Sequence, residues 1–148
     1  MKIGALSRST GCAVETIRYY EREGLLPAAA RSEGNYRVYG AAEVERLTFI
    51  RNCRALDMTL EEIRRLLALR DGAGENCEGV NALIDEHIEH VALRIAGLQG
   101  LQKQLIALRQ RCLGPEAAAC QILRQLNASG GVQSLPADGH SHVAAVHR

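Results

Sequence analysis

Three cysteines have the most informative spacing in this chain: Cys77, Cys112 and Cys120. The last two bracket Leu113–Ala119, a stretch that holds Gly114 and Pro115. A turn of that size can fold two thiolates onto one ion, and thiolates select soft or borderline metals. Cys77 stands far upstream. If the residues between Cys77 and Cys112 form one helix, it spans about 50 Å, and the three thiols of one chain cannot meet. In an antiparallel pair of such helices the start of one lies beside the end of the other. Cys77 of one subunit then meets Cys112 and Cys120 of its partner, and symmetry repeats the site. Three thiolates favour Cd(II), Pb(II), Hg(II) or Zn(II). Zn(II) prefers four ligands in a tetrahedron. A bare three-sulfur site therefore suits Pb(II), or Cd(II) with one oxygen or nitrogen added, for which Glu116 and His87 are candidates.

Other donors are weaker signals. His140, His142 and His147 form an H-x-H-x4-H pattern that can hold a metal loosely, as a second site. His87 reads as support for the thiol site and His90 as a surface residue. Cys12 and Cys53 read as packing thiols. The odd total of five cysteines, with no leader-like N-terminus, points to reduced thiols in the cytoplasm.

A second group of residues points to nucleic acid. Among the 148 residues the net charge is only +1, so no basic tail supplies affinity. Residues 1–74 nevertheless carry a net +2, and Arg18, Arg22, Arg31, Arg37, Arg51 and Arg54 can be gathered on one face. Thr16, Arg18, Tyr19 and Tyr20 fall on a short helix that follows another short helix and a turn at Thr10–Cys12. That is a helix-turn-helix pattern, whose second helix enters a major groove. The alternating Tyr36–Tyr39 segment then reads as a wing, with Arg37 and Tyr39 against phosphates. Arg18 and Tyr19 are expected at the groove; Tyr20 faces either the DNA backbone or the core.

The elements that must position these residues are mainly helical. Apolar material reaches 47% with aromatics at 3%, so the core is aliphatic. Helices are predicted over Ala42–Cys53 and from Thr59, where Glu62 completes a capping box. Asp71–Asn76 reads as a linker. A long helix is predicted over Val80–Arg111, with Ile84, Ile88, Val91, Ile95, Leu98, Gln102, Leu105 and Leu108 at heptad-like spacing. A second copy of the same helix is the natural cover for that stripe, and Gly97 and Gly100 would allow its close approach. A short helix follows from Pro115 to Leu126, and Asn127–Arg148 reads as a mobile tail. The expected organisation is thus a winged helix-turn-helix DNA-binding domain (1–75), an antiparallel coiled-coil dimerisation helix with a metal loop and a short C-terminal helix (76–127), and a His-containing tail (128–148). No run of 18 apolar residues suggests a membrane span.

Taken together, Lys2–Leu6, "TIRYYEREGLL", Asn35–Tyr39 and Arg46–Arg51 resemble the MerR family of bacterial metal- and drug-responsive regulators, across about residues 1–127. "GENCEGVNALIDEHIEHV" and "RCLGPEAAAC" are similar to its cadmium/lead-responsive branch, and the His-bearing tail is more like the cadmium-responsive members. The resemblance implies a homodimer on double-stranded promoter DNA whose −35 and −10 elements are too far apart. The metal-free form would hold RNA polymerase unproductively; Cd(II) would make the dimer distort the DNA and activate a heavy-metal resistance promoter. It assigns Cys77, Cys112 and Cys120 to the metal and Arg18, Tyr19, Tyr20, Arg37 and Tyr39 to DNA. Copper-sensing relatives carry Ser at the position of Cys77, and drug-sensing relatives lack the two-Cys loop, which argues against a monovalent or organic effector. Two alternatives compete: a heavy-metal buffer, which leaves the wing arginines without a use, and a thiol-redox regulator, which leaves Cys77 unexplained. No acid, base and nucleophile set supports an enzyme.

Overall fold

The computed structural model describes residues 1–72, 77–111 and 120–135. Their order is α1 (Ile3–Thr10), α2 (Val14–Arg22), β1 (Ala30–Arg31), β2 (Arg37–Val38), α3 (Ala41–Ala55), α4 (Leu60–Asp71), α5 (Cys77–Gln110) and α6 (Gln121–Asn127). The fold is mainly α-helical, a winged helix-turn-helix arrangement with a long C-terminal helix suited to dimerisation. The chain divides into two units between Leu83 and Ile84, within α5.

In the first unit each helix buries a stripe at helical spacing. Leu6 of α1, Ile17 and Tyr20 of α2, Leu47, Ile50 and Cys53 of α3, and Ile63, Leu66 and Leu67 of α4 are buried. Each fully covered Leu or Ile contributes about 1.5–3 kcal/mol. Leu83 of α5 is also buried. Val44 and Phe49, grouped with the apolar set of α3, are half-buried, and the Arg70 guanidinium lies over the Phe49 ring at 5.4 Å.

The turns are explained by local chemistry. Gly11, at φ 74°, ends α1, and its N–H donates to the Ser7 carbonyl at 2.8 Å. An alanine there would be strained and would put its Cβ 2.4 Å from Arg51 Nη1. The capping box forms as predicted: Glu62 N–H donates to Thr59 Oγ1 (3.0 Å), and Thr59 N–H to Glu62 Oε1 (2.9 Å). At the start of α3 the Gly40 N–H donates to the Glu43 carboxylate at 2.6 Å.

The wing is a two-stranded antiparallel hairpin in which Ala30 pairs with Val38 and Arg31 with Arg37. Its turn closes through Ser32 N–H to the Tyr36 carbonyl and Asn35 N–H to the Ser32 carbonyl, both 2.8 Å, with Asn35 left-handed at φ 64°. Asparagine is among the few residues that tolerate that conformation.

In the second unit α5 dominates. The helix begins at Cys77 rather than Val80, so Cys77 opens the helix instead of preceding it. Its heptad stripe stays at the surface: Ile88 is 58% exposed, Ile95 and Leu98 51%, and Leu105 64%. Residues 128–135, expected in the mobile tail, are placed against α5. Gln104 Nε2 donates to the Gln133 carbonyl (3.2 Å), and Gln133 N–H donates back to Gln104 Oε1 (3.1 Å). Leu135 fills the space at Gly97, where a Cβ would fall 2.4 Å from Leu135 Cδ1. Gly97 therefore makes room for a side chain of its own subunit. The short C-terminal helix starts at Gln121, after Cys120 as its N-cap, and the predicted start at Pro115 lies outside the described residues.

Candidate nucleic-acid interface and metal ligands

The face shared by α1, α2 and the wing is built from cations. A cleft of about 560 Å³ is lined by Ile3, Arg18, Glu21, Arg22, Ala28, Ala29, Arg31 and Arg37. Four guanidinium groups against one carboxylate suit a polyanion. Arg18 projects from α2 into solvent, as does Tyr19, and the Arg22 guanidinium lies over the Tyr19 ring at 5.9 Å. Thr16 is half-buried on the same helix. On the wing, Arg31 Nη1 donates to the carbonyl (3.2 Å) and side-chain oxygen (3.4 Å) of Asn35. Arg37 is held near Glu21 at 3.4 Å.

Two of the residues expected at the DNA have buried rings. Tyr20 sits in the core beside Tyr19, with ring centroids 5.9 Å apart. Its position three residues after Ile17 turns its ring inward on α2, toward the core. Tyr39 is 1% exposed, its N–H donates to the Met1 carbonyl at 2.8 Å, and its hydroxyl donates to Glu21 Oε1 at 3.1 Å. Burial pushes both phenols above the usual tyrosine range. For Tyr39 the Glu21 carboxylate adds to the rise, and for Tyr20 Arg54 opposes it. Both rings lie in the core of the unit rather than on its exposed face.

The arginines assigned to the basic face also divide. Arg51 Nη1 donates to the Thr10 carbonyl at 2.6 Å, and Arg54 Nη1 to the Met58 carbonyl at 2.7 Å. These guanidinium groups satisfy backbone carbonyls, that of Thr10 at the end of α1 and that of Met58 in the turn between α3 and α4. Arg46 does the same for Leu25 at 2.7 Å and pairs with Asp71 at 2.8 Å. What remains for a ligand is Arg18, Arg22, Arg31 and Arg37. Glu21 is the residue that sequence reasoning missed; an acid three positions after Arg18, within a basic stripe, was the available signal.

Cys77 is exposed at the first residue of α5, and Cys120 is half-exposed at the N-cap of α6. Cys112, Glu116, His140, His142 and His147 lie outside the described residues. Cys12 and Cys53 are buried, as packing thiols should be, and burial pushes the Cys53 thiol up. His87 is buried, with its ring edge-on to His90 at 6.4 Å. His90 is half-buried rather than at the surface, because three residues of helix bring it beside His87. Among the described residues no helix is long and apolar enough to cross a membrane.

A helix-turn-helix with a cationic wing defines a DNA-binding regulator rather than an enzyme. Residues 1–69 match the MerR HTH family regulatory protein pattern, and residues 44–108 match the MerR, DNA binding pattern. A ZntR homolog, an HTH-type transcriptional regulator of Haemophilus influenzae, is 45% identical over 125 residues, or 84% of this chain and 93% of that protein. The lead(II) complex of the regulator PbrR691 from Ralstonia metallidurans CH34 is 49% identical, with a TM-score of 0.75 over 85% of this chain and 98% of that one. The mercury(II) complex of MerR from Bacillus megaterium MB1 is 32% identical, with a TM-score of 0.68 over 86% of this chain and all of that one. The chain belongs to the MerR family of DNA-binding transcriptional regulators.

Proposed function

We propose that this protein is a homodimeric metal sensor that acts at a heavy-metal resistance promoter in the cytoplasm. Its α2 helix enters the major groove with Arg18 and Tyr19, and Thr16 beside them. The wing's Arg37, with Arg31, engages phosphates. The heptad stripe of α5 packs antiparallel on a second copy. Cys77 of one subunit and Cys112 and Cys120 of its partner take one divalent ion. Cd(II) is the preferred effector, with Pb(II), Hg(II) and Zn(II) as related ions. His140, His142 and His147 form a weaker second site.

The observation that carries this reading is the placement of Cys77, an exposed thiol that opens a helix on which Ile88, Ile95, Leu98 and Leu105 are more than half exposed. The two metal-bound relatives hold Pb(II) and Hg(II), ions of the same thiophilic class. When bound, the ion supplies a cross-link between subunits. The residues supply a bias between two dimer states, about 1–3 kcal/mol for typical coupling. Bending a promoter costs of order 1–6 kcal/mol, so the two scales overlap, and RNA polymerase would meet a reshaped site.

The test is a titration of the reduced protein with Cd(II) and Pb(II), following thiolate-to-metal charge-transfer absorption with Zn(II) as competitor. Intense bands that saturate at one ion per subunit are expected, and Cys77→Ser should lose them while keeping its DNA affinity. A Cys77→Ser protein that still activates transcription fully with Cd(II) would sink the cross-subunit site.

A further inference from the structure

The wing has a problem that its own two strands do not solve. Arg31 and Arg37 are direct cross-strand partners. Like charges placed opposite one another destabilise a ladder, and a hairpin of two paired residues per strand has little stability of its own. Something outside the hairpin must hold it. Arg31 is turned toward its own turn by Asn35. The N-terminus ties down the end of the wing, where Tyr39 N–H donates to the Met1 carbonyl at 2.8 Å and the Lys2 ammonium lies over the Tyr36 ring at 4.5 Å, and Arg37 is held from α2 by one carboxylate.

That carboxylate belongs to Glu21. Its Oε1 accepts from the Tyr39 hydroxyl at 3.1 Å and from Arg37 Nη1 at 3.4 Å. The Glu21 side chain is 10% exposed, whereas that of Arg37 is 47% exposed. One end of the ion pair is thus anchored and shielded. The other keeps most of its five N–H donors available. Tyr39 is buried two residues further along the same segment, so its hydroxyl bond to Glu21 joins α2 to the segment that carries Arg37, beside the Met1 bonds that hold the Tyr39 backbone.

We propose that Glu21 is a positioning residue for DNA binding: it locks the wing to the recognition helix and aims the Arg37 guanidinium at a backbone phosphate. The inference rests on the DNA-binding reading above. It runs against simple electrostatics, in which a carboxylate within a cleft of four arginines only repels phosphate. The two views predict opposite signs for its neutralisation.

The experiment uses the full-length protein and a labelled duplex that the wild type selects from a randomised pool. Binding is measured over a range of salt for Glu21→Gln, Arg37→Gln and the double variant, with thermal unfolding of each. Glu21→Gln should weaken binding roughly fivefold, within the usual range of coupling between neighbouring groups. Arg37→Gln should weaken it too and lower the salt slope by about one. The double variant should bind no more weakly than Arg37→Gln alone, because Glu21 acts through Arg37. Tighter or unchanged binding by Glu21→Gln overturns the inference. So does a loss that persists undiminished in the Arg37→Gln background, since that marks a general structural effect. Failure of the wild type to select any duplex would overturn the DNA-binding reading itself, and this inference with it.

Discussion

Residues 1–83 and the stretch of α5 beyond them treat their apolar side chains in opposite ways. In the first unit the stripes of four short helices are covered by one another, and Leu6, Ile17, Leu47, Ile50 and Ile63 have no exposed surface. In the second, Ile88, Ile95, Leu98 and Leu105 remain more than half exposed along a single 34-residue helix. The first region covers these core side chains within one chain. The second leaves apolar side chains at heptad-like spacing exposed on a long helix, a form suited to dimerisation. Charge follows the same division: the cationic cleft lies wholly in the first region.

The comparison can be broken or sharpened by substitution. The largest effect is expected at Leu47, whose loss leaves a cavity in a closed core. Leu47→Ala should reduce stability by about 2–5 kcal/mol in urea unfolding. An equal truncation at Leu98 should leave monomer stability nearly unchanged, and Leu98→Asp should yield monomers by sedimentation while the helix-turn-helix unit stays folded. A Leu98→Asp protein that remained dimeric would place the seam elsewhere. Thr59→Ala removes a side chain that accepts from Glu62 N–H, and should cost about 1 kcal/mol. The smallest effect is alkaline. Tyr20 and Tyr39 have folded-state pKa values raised by burial above 10.0. Their contribution is therefore complete below that value and is lost as pH rises through the folded-state pKa, because the unfolded chain ionises first. The urea midpoint should fall above about pH 10, less steeply in Tyr20→Phe.

The two regions were also unequally legible in the sequence. The capping box at Thr59, the heptad stripe and the wing were plain, because each depends on residues close together or on a sustained period. Gly72 and Gly74 suggest a linker that leaves Cys77 outside the long helix; the helix instead includes Cys77 and runs through Gly79 without a break. Tyr39 and Glu21 could not be joined by spacing, since their bond links residues 18 apart on different elements. Nor could the docking of residues 128–135, which rests on a side chain, Gln104, exchanging hydrogen bonds with backbone 29 positions away. Arg51 and Arg54 looked like phosphate ligands by type, but the nearby carbonyls of Thr10 and Met58 accept from them.

The central claim is that the metal site is shared between two copies of the chain. It is tested most directly by mixing two variants that are each unable to build it, Cys77→Ser and Cys112→Ser, then adding Cd(II) and reading the charge-transfer band. If the subunits exchange at random, half of the dimers carry one variant of each kind. Each such dimer has one complete site, from Cys77 of one chain and the Cys112 and Cys120 of the other. The account predicts recovery of about one quarter of the wild-type band, with none in either variant alone. No recovery in the mixture, with subunit exchange confirmed, would contradict it.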